Sequence, residues 1–539
     1  MPRNFLRLIA CTCTVLSIGL AAPDTHALDR AIVDRLASDD MMEKLAAIDE
    51  IAVSGETDAL ALLQALQNGE VFVAEGNRVV IYSEQAVLDA VTMQPIDPAP
   101  ETVAPIVVNN RIRARMQTAI GALSLLSPDR AMRAESATAL QWTEDVSLLS
   151  VIRKARDRET DPAIGELLER IEAQFDLRSD DPQRRLAAVE TLSGASHARV
   201  RAMVAQLTEL DHTGAFFEPD PQVRAAALDA LRSIDRRLLL SDFLARVFSG
   251  LSLGSILLLA ALGLAITYGL LGVINLAHGE MLMIGAYATF VTQQIFRSYF
   301  PEWVDWYVVA ALPVAFAATA LVGMALERTV IRWLYGRPLE TLLATWGISL
   351  FLIQAVRQIF GAQNVEVANP SWMSGGVTVM NVAMAYNRIV IIVFALCVLV
   401  LMWLLLARTR LGLFIRSVTQ NRSMASCVGV PTVRVDLLAF GLGSGIAGLG
   451  GVALSQIGNV GPDLGQAYII DSFMVVVLGG VGQLAGTVYA ALGLGVFSKF
   501  LEPHIGAVLT KILVLVLIIA VIQKRPQGLF ALKGRAVES

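Results

Sequence analysis

The sequence predicts an all-α protein in two parts: a polytopic helical membrane domain of about 8–10 spans, preceded by an exported domain of amphipathic helices. Three observations predict it. Of 539 residues, 55% are hydrophobic and only 17% charged, and the mean hydropathy is +0.58, which is more apolar than water-soluble chains of this size. The excess is uneven, because residues 28 to about 240 are rich in Asp, Glu and Arg, whereas the remainder is built from apolar runs near the ~20 residues that span a bilayer as helix. Finally, residues 1–27 read as a signal peptide: Arg3 and Arg7, a short apolar core from Leu8 to Ala22, and the small-residue site Thr25-His26-Ala27.

Cysteine usage fits export. Cys11 and Cys13 leave with the signal, Cys397 lies in an apolar run, Cys427 lies in a polar loop, and no disulfide framework or metal-ligand spacing is present. A net charge of −5 without basic clusters interleaved with aromatics excludes a nucleic-acid reader.

Residues 28–240 repeat loosely. Runs starting at Ser38, Ser127, Ser179 and Pro219 each open with a Ser or Asp suited to capping, often carry Pro in the first turn, and then place Ala and Leu at helical spacing. Helix pairs stacked as a short HEAT-like solenoid are the natural packing of such units. Val71 to Tyr82 interrupts them with a β-rich run around Glu75-Gly76-Asn77, which predicts a small hairpin; Pro95 to Pro105 is expected as loop. No acid pair, nucleophile set or metal spacing stands out, and His197 and His212 read as isolated surface residues, so this domain is expected to bind or to space rather than to catalyse.

The apolar part, residues 241–530, holds nine candidate helices: 247–270, 280–297, 306–326, 340–360, 388–407, 435–457, 468–481, 484–501 and 506–523. Arg and Lys collect after the third (Arg328, Arg332, Arg337), after the fifth (Arg408, Arg410, Arg416, Arg422, Arg434) and after the last (Lys524, Arg525). Positive loops face the cytoplasm. Counting back through three helices places residues 28–240 outside, in agreement with the signal, and the tail 531–539 inside. Arg236, Arg237 and Arg246 fall on the outer side in this scheme, so the exported domain must fix the first helix.

Polar groups inside the apolar half are the candidate functional residues, since such side chains are costly in lipid unless they are buried in protein or line a path. They are Asn275, His278, Glu280, Gln354, Gln456, Asn459 and Asp471. A break near Gly272 is expected to leave a half-helix end whose free backbone groups line a cavity. Glycines at 441, 443, 445, 448, 450 and 451, and at 479, 480, 482 and 486, predict close helix packing. No GxxxxGK[ST] occurs, so the chain binds no ATP through a P-loop and no cofactor is expected on it.

The segment Gly412 to Gly451, GLFIRSVTQNRSMASCVGVPTVRVDLLAFGLGSGIAGLGG, and the stretch Gly272 to Glu280, GVINLAHGE, resemble the signatures of ABC importer permeases of the branched-chain amino acid type. Leu339 to Val367, Pro370-Ser371-Trp372 and the run from Met281 resemble the urea branch of that family. The resemblance implies a permease subunit rather than an enzyme, in the bacterial inner membrane. Its implied partners are a second homologous permease, two ATPase subunits that use ATP, and a periplasmic solute-binding protein. It also implies that loop 408–434 couples to the ATPases through Gly412, Arg416, Gln420, Asn421, Arg422, Ala425 and Gly429, with Ile415, Val418, Met424 and Val428 on one face of a short surface helix. Two alternatives stand: the same importer for branched-chain amino acids or short amides, and a membrane sensor or scaffold whose exported domain binds a ligand or protein.

Overall fold

A computed structural model describes residues 28–530 apart from 55–56, 83–85, 99, 101, 211–213, 273–274 and 526–527. The expected signal, the tail 531–539 and His212 lie outside the described residues. The chain forms two compact units, divided between Arg237 and Leu238.

The N-terminal unit opens with α1 (Arg30–Asp34), α2 (Met41–Ser54) and α3 (Thr57–Asn68). Four strands follow, β1 (Val71–Ala74), β2 (Arg78–Tyr82), β3 (Val87–Asp89) and β4 (Val103–Pro105). The chain then returns to helix as α4 (Asn110–Ser124), α5 (Arg130–Leu140), α6 (Leu149–Arg158), α7 (Pro162–Asp176), α8 (Pro182–Leu192), α9 (Ala198–Gln206) and the first turns of α10 (Pro221–Leu271). Helix starts follow the capping chemistry: Asp129, Asp161 and Asp181 each accept the backbone N–H two residues on, and Pro162 and Pro182 occupy the first turn. Removing such a cap costs roughly 1 kcal/mol.

A feature that the sequence reading missed marks the repeats more sharply than their Ala/Leu faces. Arg133, Arg185 and Arg224 each stand four residues after the capping Asp and donate back to the two carbonyls that precede it: Ser127 and Pro128, Ser179 and Asp180, Glu218 and Pro219. The first two also pair with buried acids, Glu159 and Glu218, at 2.8 Å. Arg133 holds the Glu159 carboxyl below its ordinary range. Helices of the repeats pack on one another, α4 on α5, α6 on α7 and α7 on α8.

The expected hairpin is part of something larger. β1 and β2 pair antiparallel around Glu75–Asn77, with Val71 opposite Ile81, but β3 adds to one side and β4 to the other, giving the order β3-β2-β1-β4. Residues 95–105 are therefore not simply loop, because Val103–Pro105 pairs with β1 and Pro95 bridges Leu88. Asp89 ties the sheet edge to α1. Burial opposes its ionisation, but donors from Arg78, the Val91 N–H, Arg30 and the Thr92 N–H outweigh that and hold its carboxyl down at about 2. Nor is His197 isolated, since its ring lies 4.3 Å from that of Trp142 and its Nδ1 accepts the Arg199 N–H.

The second unit contains the rest of α10, then α11 (His278–Tyr299), α12 (Tyr307–Thr329), α13 (Pro338–Phe360), a hairpin of β5 (Gly376–Val379) and β6 (Val382–Ala385), α14 (Tyr386–Arg408), α15 (Arg410–Gln420), α16 (Arg422–Cys427), α17 (Thr432–Ser455), α18 (Leu464–Gly479), α19 (Leu484–Ile505) and α20 (Ala507–Lys524). All nine expected helices are present, and seven helices among the described residues are long and apolar enough to cross a membrane. α11 and α18 fall outside that set: α18 has only 16 residues, and α11 carries His278, Glu280, Gln293 and Arg297. The fold is all-α and polytopic. The β5–β6 hairpin, turning on Met380 and Asn381 at positive φ, was not foreseen.

α17 is the packing centre, lying against both α11 and α12. Its glycines let backbones touch. A Cβ at Gly285 of α11 would overlap the Gly448 carbonyl, one at Gly443 would come within 2.7 Å of the Gly263 oxygen, and one at Gly445 would meet the Phe316 ring. In lipid such close packing drives helix association. Gly493, by contrast, has nothing within 4 Å. Gly285→Val should therefore abolish the folded, detergent-stable protein, whereas Gly493→Val should leave it intact; size-exclusion profiles and melting curves of the two variants check this.

Candidate functional site

The site is built where two helices begin inside the bundle. α10 ends at Leu271, the chain turns at Gly272 (φ +65), and α11 starts at His278, already buried. α18 begins beside it, with Gly279 and Gly465 so close that a Cβ on Gly279 would lie 2.6 Å from the Gly465 carbonyl oxygen. Neither helix start has a side-chain cap on its N-cap residue.

The sequence expected free backbone groups at the break. Most are instead satisfied: Leu276 N–H donates to Thr345 Oγ1 at 3.3 Å, Ala277 N–H to Asn275 Oδ1 at 3.0 Å, His278 N–H to Asn275 O, and Glu280 N–H to Ala277 O. The hydrogen-bonding capacity left over belongs to side chains. Asn275 is buried with no protein partner for Nδ2. His278 is wholly buried; its Nε2 lies 3.1 Å from the Ala260 carbonyl, which can only accept, so the hydrogen sits on Nε2 and Nδ1 is left without a partner. Glu280 takes the Ser349 hydroxyl on Oε1 at 2.9 Å and leaves Oε2 unpartnered. Further along α11, Tyr287 OH and Gln293 Oε1 are also buried without partners. Buried polar atoms are nearly always paired, so five on or beside one helix set α11 apart as the candidate site.

The start of α18 lines a cavity of about 370 Å³, walled by Asn364, Leu454, Ile457, Asn459, Asp463 and Tyr468. Beside it Val365 and Val460 form an isolated two-residue bridge, and Arg357 donates to Asp463 at 2.8 and 3.0 Å.

The remaining candidates separate. Asn459 lines the cavity as expected. Gln456 is buried but fully engaged: Oε1 accepts from Tyr307 OH at 3.2 Å, Nε2 donates to Ser455 Oγ, and its carbonyl accepts from Asn387 Nδ2, so it joins helices together. Gln354 is exposed on the outer face of α13, apart from the cluster. Asp471 pairs with Lys511 of α20 at 3.4 Å. Ser349, Arg357, Asn364 and Asp463 were missed, because their partners lie 69 to 106 residues away and no local pattern reports such pairing.

The loop 408–434 contains two helices rather than one. Asn421 is extended (φ −154) and caps α16 by accepting the Met424 N–H at 2.9 Å. α15 is clamped: Ile415 and Val418 are buried, Arg416 donates to the Leu406 carbonyl at 2.8 Å, and Gly412 packs directly on Leu406. In α16, Ala425 is buried, whereas Met424 and Val428 are 59% and 73% exposed. The single apolar face expected through Ile415, Val418, Met424 and Val428 is thus wrong: the break at Asn421 turns the first two inward and leaves the last two outward. Gln420 is exposed, Gly429 sits at φ +87, and Arg422 pairs with Asp436.

Residues 246–522 match the model of a family described as branched-chain amino acid transport system / permease component. The chain is 31% identical over 294 residues to the high-affinity branched-chain amino acid transport system permease protein BraD of Pseudomonas aeruginosa, covering 53% of this chain and 95% of that protein. It is 29% identical over 295 residues to the corresponding LivH protein of Escherichia coli, with the same coverage. To a probable LivH permease of Methanocaldococcus jannaschii it is 25% identical over 298 residues, 51% of this chain and 88% of that one. No solved structure matches.

The Val365–Val460 bridge gives the site a direct geometric check. Facing residues that exchange both hydrogen bonds have Cα atoms about 5.5 Å apart, within disulfide range. A Val365→Cys/Val460→Cys double variant should cross-link under mild oxidation, read as a reducible mobility shift, while Val365→Cys/Leu413→Cys should not.

Proposed function

We infer that this chain, which belongs to the family of branched-chain amino acid transport system permease components, is the membrane-spanning subunit of an ABC importer for a small polar solute. It is a permease subunit and not itself an enzyme. The observation that carries the solute path is the meeting of the α11 and α18 starts inside the bundle, with Asn275, His278 and Glu280 beside them and the Asn459–Asp463 cavity at their edge. Interrupted helices that begin within the membrane are a recurring way for transporters to place hydrogen-bonding groups where lipid would forbid them.

Urea is the proposed solute. It is neutral, planar and small, so its path needs donors and acceptors without matched charges. Asn275 Nδ2, His278 Nδ1, Glu280 Oε2 and Gln293 Oε1 supply unengaged atoms of both kinds. The second reading, a branched-chain amino acid, is favoured by the Arg357–Asp463 pair, whose charges suit a carboxylate and an ammonium, by the apolar wall of Leu454 and Ile457, and by the names of the relatives.

The proposed partners are a second homologous permease, two ATPase subunits and a periplasmic binding protein, with ATP used by the partners. The proposed site is the bacterial inner membrane, with the N-terminal unit on the periplasmic side. Arg-rich helix ends and loop 408–434 face the cytoplasm in this arrangement. Exposed Met424 and Val428 are then the apolar contacts that α16 offers an ATPase cleft. A nucleotide-driven change is felt by the permease only if the two ATPase states hold this loop differently.

Cells carrying this chain and its partners should accumulate radiolabelled urea at low external concentration, and deletion should lower the initial rate at least tenfold. Unchanged urea uptake with loss of leucine uptake would select the second reading. Met424→Asp, and Gly429→Trp at a positive φ, should each lower uptake about tenfold or more at normal membrane levels, measured by uptake alongside immunoblotting of membranes.

A further inference from the structure

We propose that Asp436 is a positioning residue that transmits movement of α16 to the body of the permease. The inference rests on the permease reading above and concerns how the cytoplasmic loop is attached.

α16 has few anchors. Ala425 is buried, but Met424, Cys427, Val428 and Gly429 face outward. Its first residue, Arg422, makes the directional contacts. The guanidinium pairs with Asp436, one turn into α17, through both oxygens, Nη1 at 3.3 Å from Oδ1 and Nη2 on Oδ2. It also lies 4.8 Å over the ring of Tyr335, in the connection between α12 and α13. The Tyr335 hydroxyl donates to Oε1 of Glu327, in the last turns of α12, at 3.3 Å. Asp436 and Glu327 are each only 1% exposed, and Glu327 Oε2 has no partner. One surface arginine therefore holds three separate elements.

Two buried acids at one point are an expensive arrangement when the aim is stability alone. Apolar replacements of buried ion pairs are often neutral or stabilising, and an acid left unpaired in the interior is strongly unfavourable. Arg422 is the compensation that Asp436 has, and it sits on an exposed element that a cytoplasmic partner can reach. Displacing α16 thus either drags α17 and the Tyr335 connection with it or leaves Asp436 uncompensated. A planar, bidentate guanidinium transmits direction as well as charge. α17 is also the right recipient. It packs on α11 and α12 through glycines and ends at Gln456, three residues from the cavity-lining Asn459.

The test uses the complete complex of permeases, ATPases and binding protein in proteoliposomes, with solute uptake and ATP hydrolysis measured together. Asp436→Asn keeps the shape and removes the charge. It is expected to lower uptake about tenfold while basal hydrolysis stays within about twofold, so that ATP consumed per solute rises at least fivefold. Asp436→Glu should restore the ratio to within about twofold. The reversed pair Arg422→Asp/Asp436→Arg should recover more uptake than either single change. An unchanged ratio in Asp436→Asn overturns the proposal, as does an equal fall in uptake and hydrolysis in an assembled complex, which marks a purely structural role. If Asp436→Asn fails to assemble, Glu327→Gln decides, since it disturbs the same cluster through Tyr335, and a normal ratio there also overturns it. Failure of the unmodified complex to move any solute rejects the permease reading itself, a result distinct from all of these.

Discussion

Backbone contact at glycine is the constraint on which the membrane unit depends. Hydrophobic exclusion does not hold helices together in lipid, since the surroundings are as apolar as the side chains, so association rests on close packing and on hydrogen bonds between helices. α17 meets this with glycines on several sides: Gly443 toward α10, Gly450 and Gly451 toward α11, and Gly441, Gly445 and Gly448 toward α12. The result fixes chemistry as well as packing. His278 fits because Gly263 carries no Cβ: one built there would lie 2.9 Å from the imidazole Cε1. Gly279 against Gly465 brings the starts of α11 and α18 together, and only then are Glu280 and the Asp463 cavity neighbours. A methyl group at any of these points separates the elements that make the site.

The polar atoms of that site form two groups. Asn275 Oδ1, His278 Nε2 and Glu280 Oε1 are spent on the protein, closing the helix break and tying α11 to α10 and α13. The opposite atom of each side chain is unengaged. This division leaves room for both roles that polar residues have in membranes, interhelical glue and contact with a bound group, since one atom of each side chain is spent and the other is not. It also separates them from Gln456, whose amide is engaged at both ends and whose carbonyl holds α14. Burial alone does not tell the groups apart, but the state of the second atom does.

How much of this was legible follows the range of the interactions. Nine apolar runs gave nine helices, seven of them long and apolar enough to cross a membrane, because a helix satisfies its own backbone and needs no distant partner to be recognised. Aspartate before proline located α8 and α10 for the same local reason. Illegible were the features made by pairing across the chain: β4 against β1, about thirty residues apart, which turned an expected hairpin into a sheet; Ser349 with Glu280; Arg357 with Asp463. The loop after α14 failed differently. Its apolar residues keep helical spacing across Asn421, so periodicity suggested one face, but an asparagine that caps the next helix ends the previous one, and phase is lost at the break. The arginines four residues past Asp129, Asp181 and Asp220 are visible in the sequence, but their meaning lies in the two carbonyls that each reaches.

The two candidate regions sit at opposite ends of one helix, and this bears on how an importer of this kind can work. α17 runs 24 residues, about 36 Å at 1.5 Å per residue. At its start Asp436 meets α16; at its end Gln456 and Asn459 meet the polar cavity. A helix of that length moves as a rod only if its neighbours do not absorb the displacement. Glycine packing meets that condition toward α11, where Gly448 and Gly451 lie on the backbone of Gly285, Leu282 and Ala286, so a shift of α17 has to slide or tilt α11; toward α12 the glycines meet the side chains of Met324, Phe316 and Thr319. The same contacts oppose intermediate positions, because overlap rises steeply once a glycine leaves its partner. An element with few tolerated positions, held by an arginine at one end and bordering the polar cavity at the other, has the form required of a two-state lever, in which energy spent on one side is felt on the other only as a choice between arrangements.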